Sequence, residues 1–193
     1  KTLRDLFRFM KTSLTSRPNR FILTADFSGK AGFMHRTRSV LPDGRHAMLY
    51  RVEAGEAGVY LVQLTEIVTV EDSLINLPQG LLTGKRPHRL TLKGGCYDIA
   101  FDSLDNIEAD TPFFKRRFRG QRAQALNCII DYIIDKHYTA YRPYCYTFLA
   151  FDELLSRAYR LRILQLSRSQ PQRIAAVYPN LDPHRRGYAV KLR

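Results

Sequence analysis

The chain has no tryptophan, only three cysteines, and few anions: 18 Asp+Glu stand against 31 Lys+Arg. The missing tryptophan excludes nothing. The cysteines exclude more, because Cys96, Cys128 and Cys145 are odd in number and show neither CxxC nor Cys/His ligand spacing. A disulfide scaffold and a structural zinc site are both disfavoured. A reducing, intracellular setting, cytoplasmic by default, is the expectation. No apolar run approaches the roughly 20 residues that cross a bilayer, so no transmembrane segment is expected. The first residues lack the apolar centre of a signal peptide, and the chain does not open on methionine, as in a processed form.

Catalytic motifs are missing too. There is no G-x-S-x-G elbow and no H-E-x-x-H pair. The segment GLLTGKR at 80–86 falls short of a phosphate loop, with three residues between its glycines and Arg86 where Ser or Thr is required.

What is present is enough for a core. The 193 residues are 45% hydrophobic and 11% aromatic, which fits one domain over 1–193. That domain divides into an N-terminal helix over 1–15, a β-rich part over 20–110, and a basic helical part over 111–193 that ends in strands. The formal net charge is +13 and most of the cations are arginine. Arginine's planar fork suits bidentate phosphate contacts, although codon bias toward arginine gives the same composition. The charge is unevenly spread: +7 over 1–50, −5 over 51–110 and +11 over 111–193. Such polarity fits an anion-binding surface, and it equally fits basic flanks paired with acidic central strands.

Leu3, Leu6, Phe7, Met10 and Leu14 make one helical stripe, with Arg4, Arg8 and Lys11 on another face. Phe21, Leu23, Ala25 and Phe27 alternate as a strand does. A long loop is expected over 29–45, with a turn at Leu41-Pro42-Asp43-Gly44. Strands over 46–53 and 58–69 form a hairpin, the second with both faces partly buried. Residues 70–87 read as loop with one helical turn. A further hairpin is expected over 88–102, turning at Gly94-Gly95. Asp110-Thr111-Pro112 signals a helix start. That helix runs to about Tyr138, with Leu126, Ile129, Ile130, Ile133, Ile134 and His137 as its core stripe. A proline-broken aromatic stretch spans Tyr141 to Phe148. An amphipathic helix follows over 152–166, and strands over 173–178 and 187–192 close the chain. The fold class is α+β: a mainly antiparallel sheet of five to seven strands packed on a long central helix, with amphipathic helices towards both ends.

The chemistry concentrates in one place. Lys115, Arg116, Arg117, Arg119 and Arg122 put five cations into eight residues, interleaved with Phe113, Phe114 and Phe118. At a helix start the macrodipole is already positive, so this block is unfavourable without an anion nearby. Arg157, Arg160 and Arg162 on the later helix are the supporting contacts, and Phe118 offers a stacking ring. Asp131 and Asp135 stand one turn apart as two carboxylates sharing a metal would, but they read as a solvated face, and no metal or cofactor is expected. His137 reads as a core histidine and Cys128 as a small core residue. Cys145, between two tyrosines, has no base fixed beside it. His35, His46 and His88 with nearby arginines offer an alternative phosphate-handling site.

The expected function is nucleic-acid binding, to DNA or RNA, with little sequence readout and within a larger protein assembly. The alternatives are an enzyme acting on a phosphate-rich substrate, of nuclease or transferase type, and an interaction module or inhibitor for an acidic protein.

Overall fold

The computed structural model describes residues 19–21, 26–27, 30–31, 34–41, 43–53, 58–83, 91–109, 111 and 121–193. It shows a mixed α/β chain with a large sheet. The strands are β1 (Asn19–Phe21), β2 (Asp26–Phe27), β3 (Lys30–Ala31), β4 (Met34–Val40), β5 (His46–Glu53), β6 (Val59–Thr69), β7 (Leu82–Thr83), β8 (Thr91–Ser103), β9 (Cys145–Leu149), β10 (Ile174–Pro179) and β11 (Gly187–Leu192). The helices are α1 (Leu104–Glu108), α2 (Gln121–Tyr141) and α3 (Glu153–Ser169). The chain forms two compact units, and β6 and β8 contribute residues to each. The helix expected over 1–15 lies outside the described residues.

One unit comprises residues 2–64 and 100–140. In it β1 pairs with β4, and β4 with β5, both antiparallel. The expected loop over 29–45 thus contains a strand. Its sequence, MHRTRSV, has no apolar alternation to announce it. Backbone pairing along β5, from Met34 opposite Val52 to Val40 opposite His46, makes the strand instead. The expected turn beyond it is there. The Leu41 amide donates to the Arg45 carbonyl at 2.8 Å and the Gly44 amide to the Leu41 carbonyl at 2.9 Å. Gly44 takes φ +84°, which a side chain would resist.

β5 and β6 are neighbours in the sheet, as the hairpin reading expects. Tyr60 to Leu64 of β6 are all buried, so both faces of the strand are covered. Leu49, Leu61, Ala100 and Ile107 form the core here, with Leu104 against them. The Ser103 hydroxyl caps α1 by accepting from the Asn106 amide. On α2, Ile129, Ile133 and His137 are buried at steps of four. The helix ends at Tyr141, three residues beyond expectation. Cys128 is exposed, not buried as expected. One residue is about 100° of helix rotation, enough to turn it away from the stripe led by Ile129.

The other unit holds 65–99 and 141–193. Two 3-10 turns, Val70–Asp72 and Gln79–Leu81, fill the stretch where one helical turn was expected. β8 pairs with β7 and β9, β9 with β11, and β11 with β10. Two expectations are overturned here. Gly94-Gly95 is not a turn: β8 runs straight through it from Thr91 to Ser103. The reason is the neighbouring backbone, since the Tyr144 amide donates to the Gly95 carbonyl at 2.8 Å. Glycine here marks a close approach, because a Cβ on Gly95 would meet the Tyr97 ring at 3.1 Å. The aromatic stretch 141–148, not expected as a strand, holds all of β9 but its last residue. It runs parallel to β8, with Cys96 opposite Cys145 and Ile99 opposite Phe148. A parallel neighbour needs a long crossover, and residues 104–144 supply it. The other pairs with a described register are antiparallel.

Ile67, Ile75, Leu81, Cys96, Cys145 and Ala189 form this unit's core. The loop before β11 is fastened by Asp182. Its carboxylate accepts the amides of His184 at 3.1 Å, Gly187 at 2.7 Å and Arg186. Burial pushes the Asp182 carboxyl upward, but these amides and the Arg186 guanidinium outweigh it and hold the group below its ordinary range.

Candidate functional site

Helix α3 carries the sequence-predicted arginines that the structure describes. Asp152 caps it, accepting from the Leu155 amide at 2.8 Å. Glu153 in the first turn and Arg168 in the last complement the macrodipole. The inner side is anchored by Ser156, whose hydroxyl lies 2.7 Å from the Tyr188 hydroxyl, and by buried Ile163. The Tyr159 ring stands 6.1 Å from that of Phe148.

The outer side is mixed. Steps of three and four align Leu154, Arg157, Leu161, Leu164 and Arg168 in one stripe. The leucines are 60%, 70% and 42% exposed. Arg157, Arg160 and Arg168 are exposed as well, and none has an ion-pair partner among the described residues. Arg162 is different. Five residues on from Arg157 it has turned to the flank, half-buried, with Nη1 donating to Gln165 Oε1 at 2.8 Å. The structure therefore brings Arg157 and Arg160 together and adds Arg168, but leaves Arg162 aside.

Lys115, Arg116, Arg117, Phe118 and Arg119 lie outside the described residues. Arg122 falls in the first turn of α2, its side chain likewise outside them. That turn contains no acidic residue.

A second cluster was invisible in the sequence. Alternation puts Cys96 and Asp98 on one face of β8, and the register sets them opposite Cys145 and Thr147 of β9. Both sulfurs are 0% exposed and Asp98 is 4% exposed. The Asp98 carboxylate accepts the Leu74 amide at 3.3 Å and the Thr147 hydroxyl. The two thiols hydrogen-bond to each other. That bond favours the thiolate at Cys96 over burial and the repulsion of Asp98, so its thiol is lowered. The same bond, with burial and Asp98, pushes the Cys145 thiol up. With no solvent access, the chemistry open to this cluster is between the sulfurs themselves. The residues are 49 apart in sequence, and only strand pairing reveals them. Their one shared signal is the i, i+2 spacing of Cys96-x-Asp98 and Cys145-x-Thr147.

His137 is 0% exposed, and burial pushes its imidazole down to about 4. It sits in the core of its helix, as the sequence predicts. Asp131 and Asp135 take the side of α2 away from that core, half-buried and exposed respectively. Among the described residues no group of three or more His, Cys, Asp or Glu is placed to hold a metal. Among them, too, no helix is long and apolar enough to cross a membrane. No protein-family model, curated protein or solved structure matches the chain.

Proposed function

We propose that this protein binds nucleic acid, DNA or RNA, through arginine–phosphate contacts with little sequence-specific readout, as an intracellular subunit of a larger assembly. The observation that carries this is the concentration of charge: +11 over residues 111–193, with five cations between Lys115 and Arg122. Lys115, Arg116, Arg117, Arg119 and Arg122 contact phosphates in this reading, Phe118 stacks on a base, and Arg157, Arg160 and Arg162 add support. A helix start offers backbone amides and the positive end of the helix dipole, both of which favour an anion. The reading also takes α2 to pack on one face of the sheet, with amphipathic helices over 1–15 and 152–166.

Five phosphate contacts release counterions and give a log-affinity against log-salt slope of roughly −3.5 to −4.5. Fluorescence anisotropy with a labelled duplex and a labelled single strand, over a salt series, measures it. Replacing Arg116 and Arg119 by glutamine makes the slope shallower by about one for each arginine replaced. Undetectable binding at low salt, or a slope near zero, ends this reading. The exposed Leu154, Leu161 and Leu164 favour a second reading, a docking face for an acidic protein, since phosphate does not reward leucine. A stoichiometric protein complex that survives nuclease treatment decides for it.

A further inference from the structure

We propose that Cys96 and Cys145 are a modification site: they form a reversible intramolecular disulfide, joining β8 to β9, when the protein meets a hydroperoxide. Registered residues on adjacent strands lie on the order of 4.7–4.9 Å apart, inside the roughly 4.4–6.8 Å that a disulfide spans between Cα atoms. Cys96 and Cys145 hold this register, and both point to the same face. Both are buried in the same core cluster, so no strand has to shift register for the sulfurs to meet. Buried cysteines usually serve as small apolar residues. These two differ in having each other as the hydrogen-bond partner, beside the Asp98–Thr147 pair.

The chemistry balances with the peroxide as oxidant. The Cys96 sulfur, as thiolate, attacks the peroxide oxygen; the O–O bond breaks, and the leaving alkoxide or hydroxide takes up the proton released by Cys96. The resulting sulfenic acid is attacked by the Cys145 sulfur. The S–S bond forms, the sulfur–oxygen bond breaks, and hydroxide leaves as water with the proton of Cys145. Two electrons pass from the thiol pair to one peroxide. Because both sulfurs are 0% exposed, the reaction proceeds through local opening and is slow. The bond closes a loop over residues 97–144, the stretch that carries the basic block.

The test uses the full chain with Cys128→Ser, which removes the exposed thiol. The folded protein is incubated with hydrogen peroxide, then unfolded with N-ethylmaleimide present, digested without reductant and read by mass spectrometry. The expected product is one linked peptide pair joining Cys96 to Cys145, two hydrogens lighter than the separate peptides and released by dithiothreitol. Three results overturn the proposal: both cysteines alkylated to the extent of an unoxidised control, sulfinic acid on Cys96 with Cys145 still free, or a link that forms only in urea-unfolded chain.

Discussion

Lowering the pH destabilises this fold through His137. The imidazole is 0% exposed on the core stripe of α2, where charging it means moving a cation out of water. Its value of about 4 in the folded chain compares with 6.5 for the unperturbed side chain. Between these values the unfolded chain takes up a proton that the folded chain refuses. Stability therefore rises with pH across this window: it is complete above about 6.5 and falls as pH drops towards 4. One pKa unit corresponds to about 1.36 kcal/mol, so the full loss is on the order of 3 kcal/mol. Against a total stability of about 5–15 kcal/mol, that is a large fraction.

Urea unfolding at closely spaced pH values, followed by far-ultraviolet circular dichroism, measures the loss as a falling midpoint. The variant His137→Gln keeps a hydrogen-bonding side chain without a titrating ring. It is expected to remove most of the slope between pH 4 and 6.5, whatever it does to absolute stability. Asp182 confuses the outcome little, because its carboxyl is held below the ordinary 3.8 and most of its contribution is lost under the window. If the variant keeps the wild-type slope, or if the His137 ring protons titrate near 6.5 by NMR in the folded protein, the burial argument is wrong.

Two substitutions test the packing around β11. Gly187→Ala places a Cβ 2.7 Å from Ile75 Cγ2, 3.1 Å from the Leu181 carbonyl carbon and 3.2 Å from the Asp182 nitrogen. Side chain on one side and backbone on the other leave no easy relief, so a loss of about 1–3 kcal/mol is expected in chemical denaturation; unchanged stability would show that the loop yields. Tyr188→Phe removes the hydroxyl that donates to the Ser156 carbonyl at 3.0 Å and meets the Ser156 hydroxyl at 2.7 Å. A melting temperature lower by roughly 2–4 °C, from about 1 kcal/mol, is expected, and an unchanged one means that α3 is not held there.

The parts of the fold legible in the sequence are those where local pattern and final environment agree. The strands at 46–53 and 59–69, the capped α3 and the closing strands all have it: apolar runs or alternation, with turn formers at their ends. The misses share one cause. β4 is polar along its length and exists through pairing with β5. β9 reads as aromatic coil because its partner β8 lies across a long crossover. Gly94-Gly95 satisfies the local rule for a turn, but Tyr144 takes the Gly95 carbonyl from outside the segment. Pairing between distant segments decides these cases, and sequence patterns do not record it.

The candidate sites divide in the same way. An arginine cluster is a local property, so charge is read directly from sequence, but which arginines share a surface is not. Arg162 belongs by sequence to the set with Arg157 and Arg160, yet five residues of helix carry it to the flank, where it meets Gln165. The leucines of this helix are not singled out by the sequence at all. Leu154, Leu161 and Leu164 of that helix are exposed, and it is Ser156 and Ile163 that are buried. Serine goes inside because Tyr188 meets it there with a hydrogen bond, which removes the cost of burying a hydroxyl. The leucines are then forced outward among Arg157 and Arg168. An apolar stripe edged by guanidinium groups offers two kinds of contact along one helix. That is the reason the nuclease-resistant complex, rather than affinity alone, separates a nucleic-acid partner from an acidic protein.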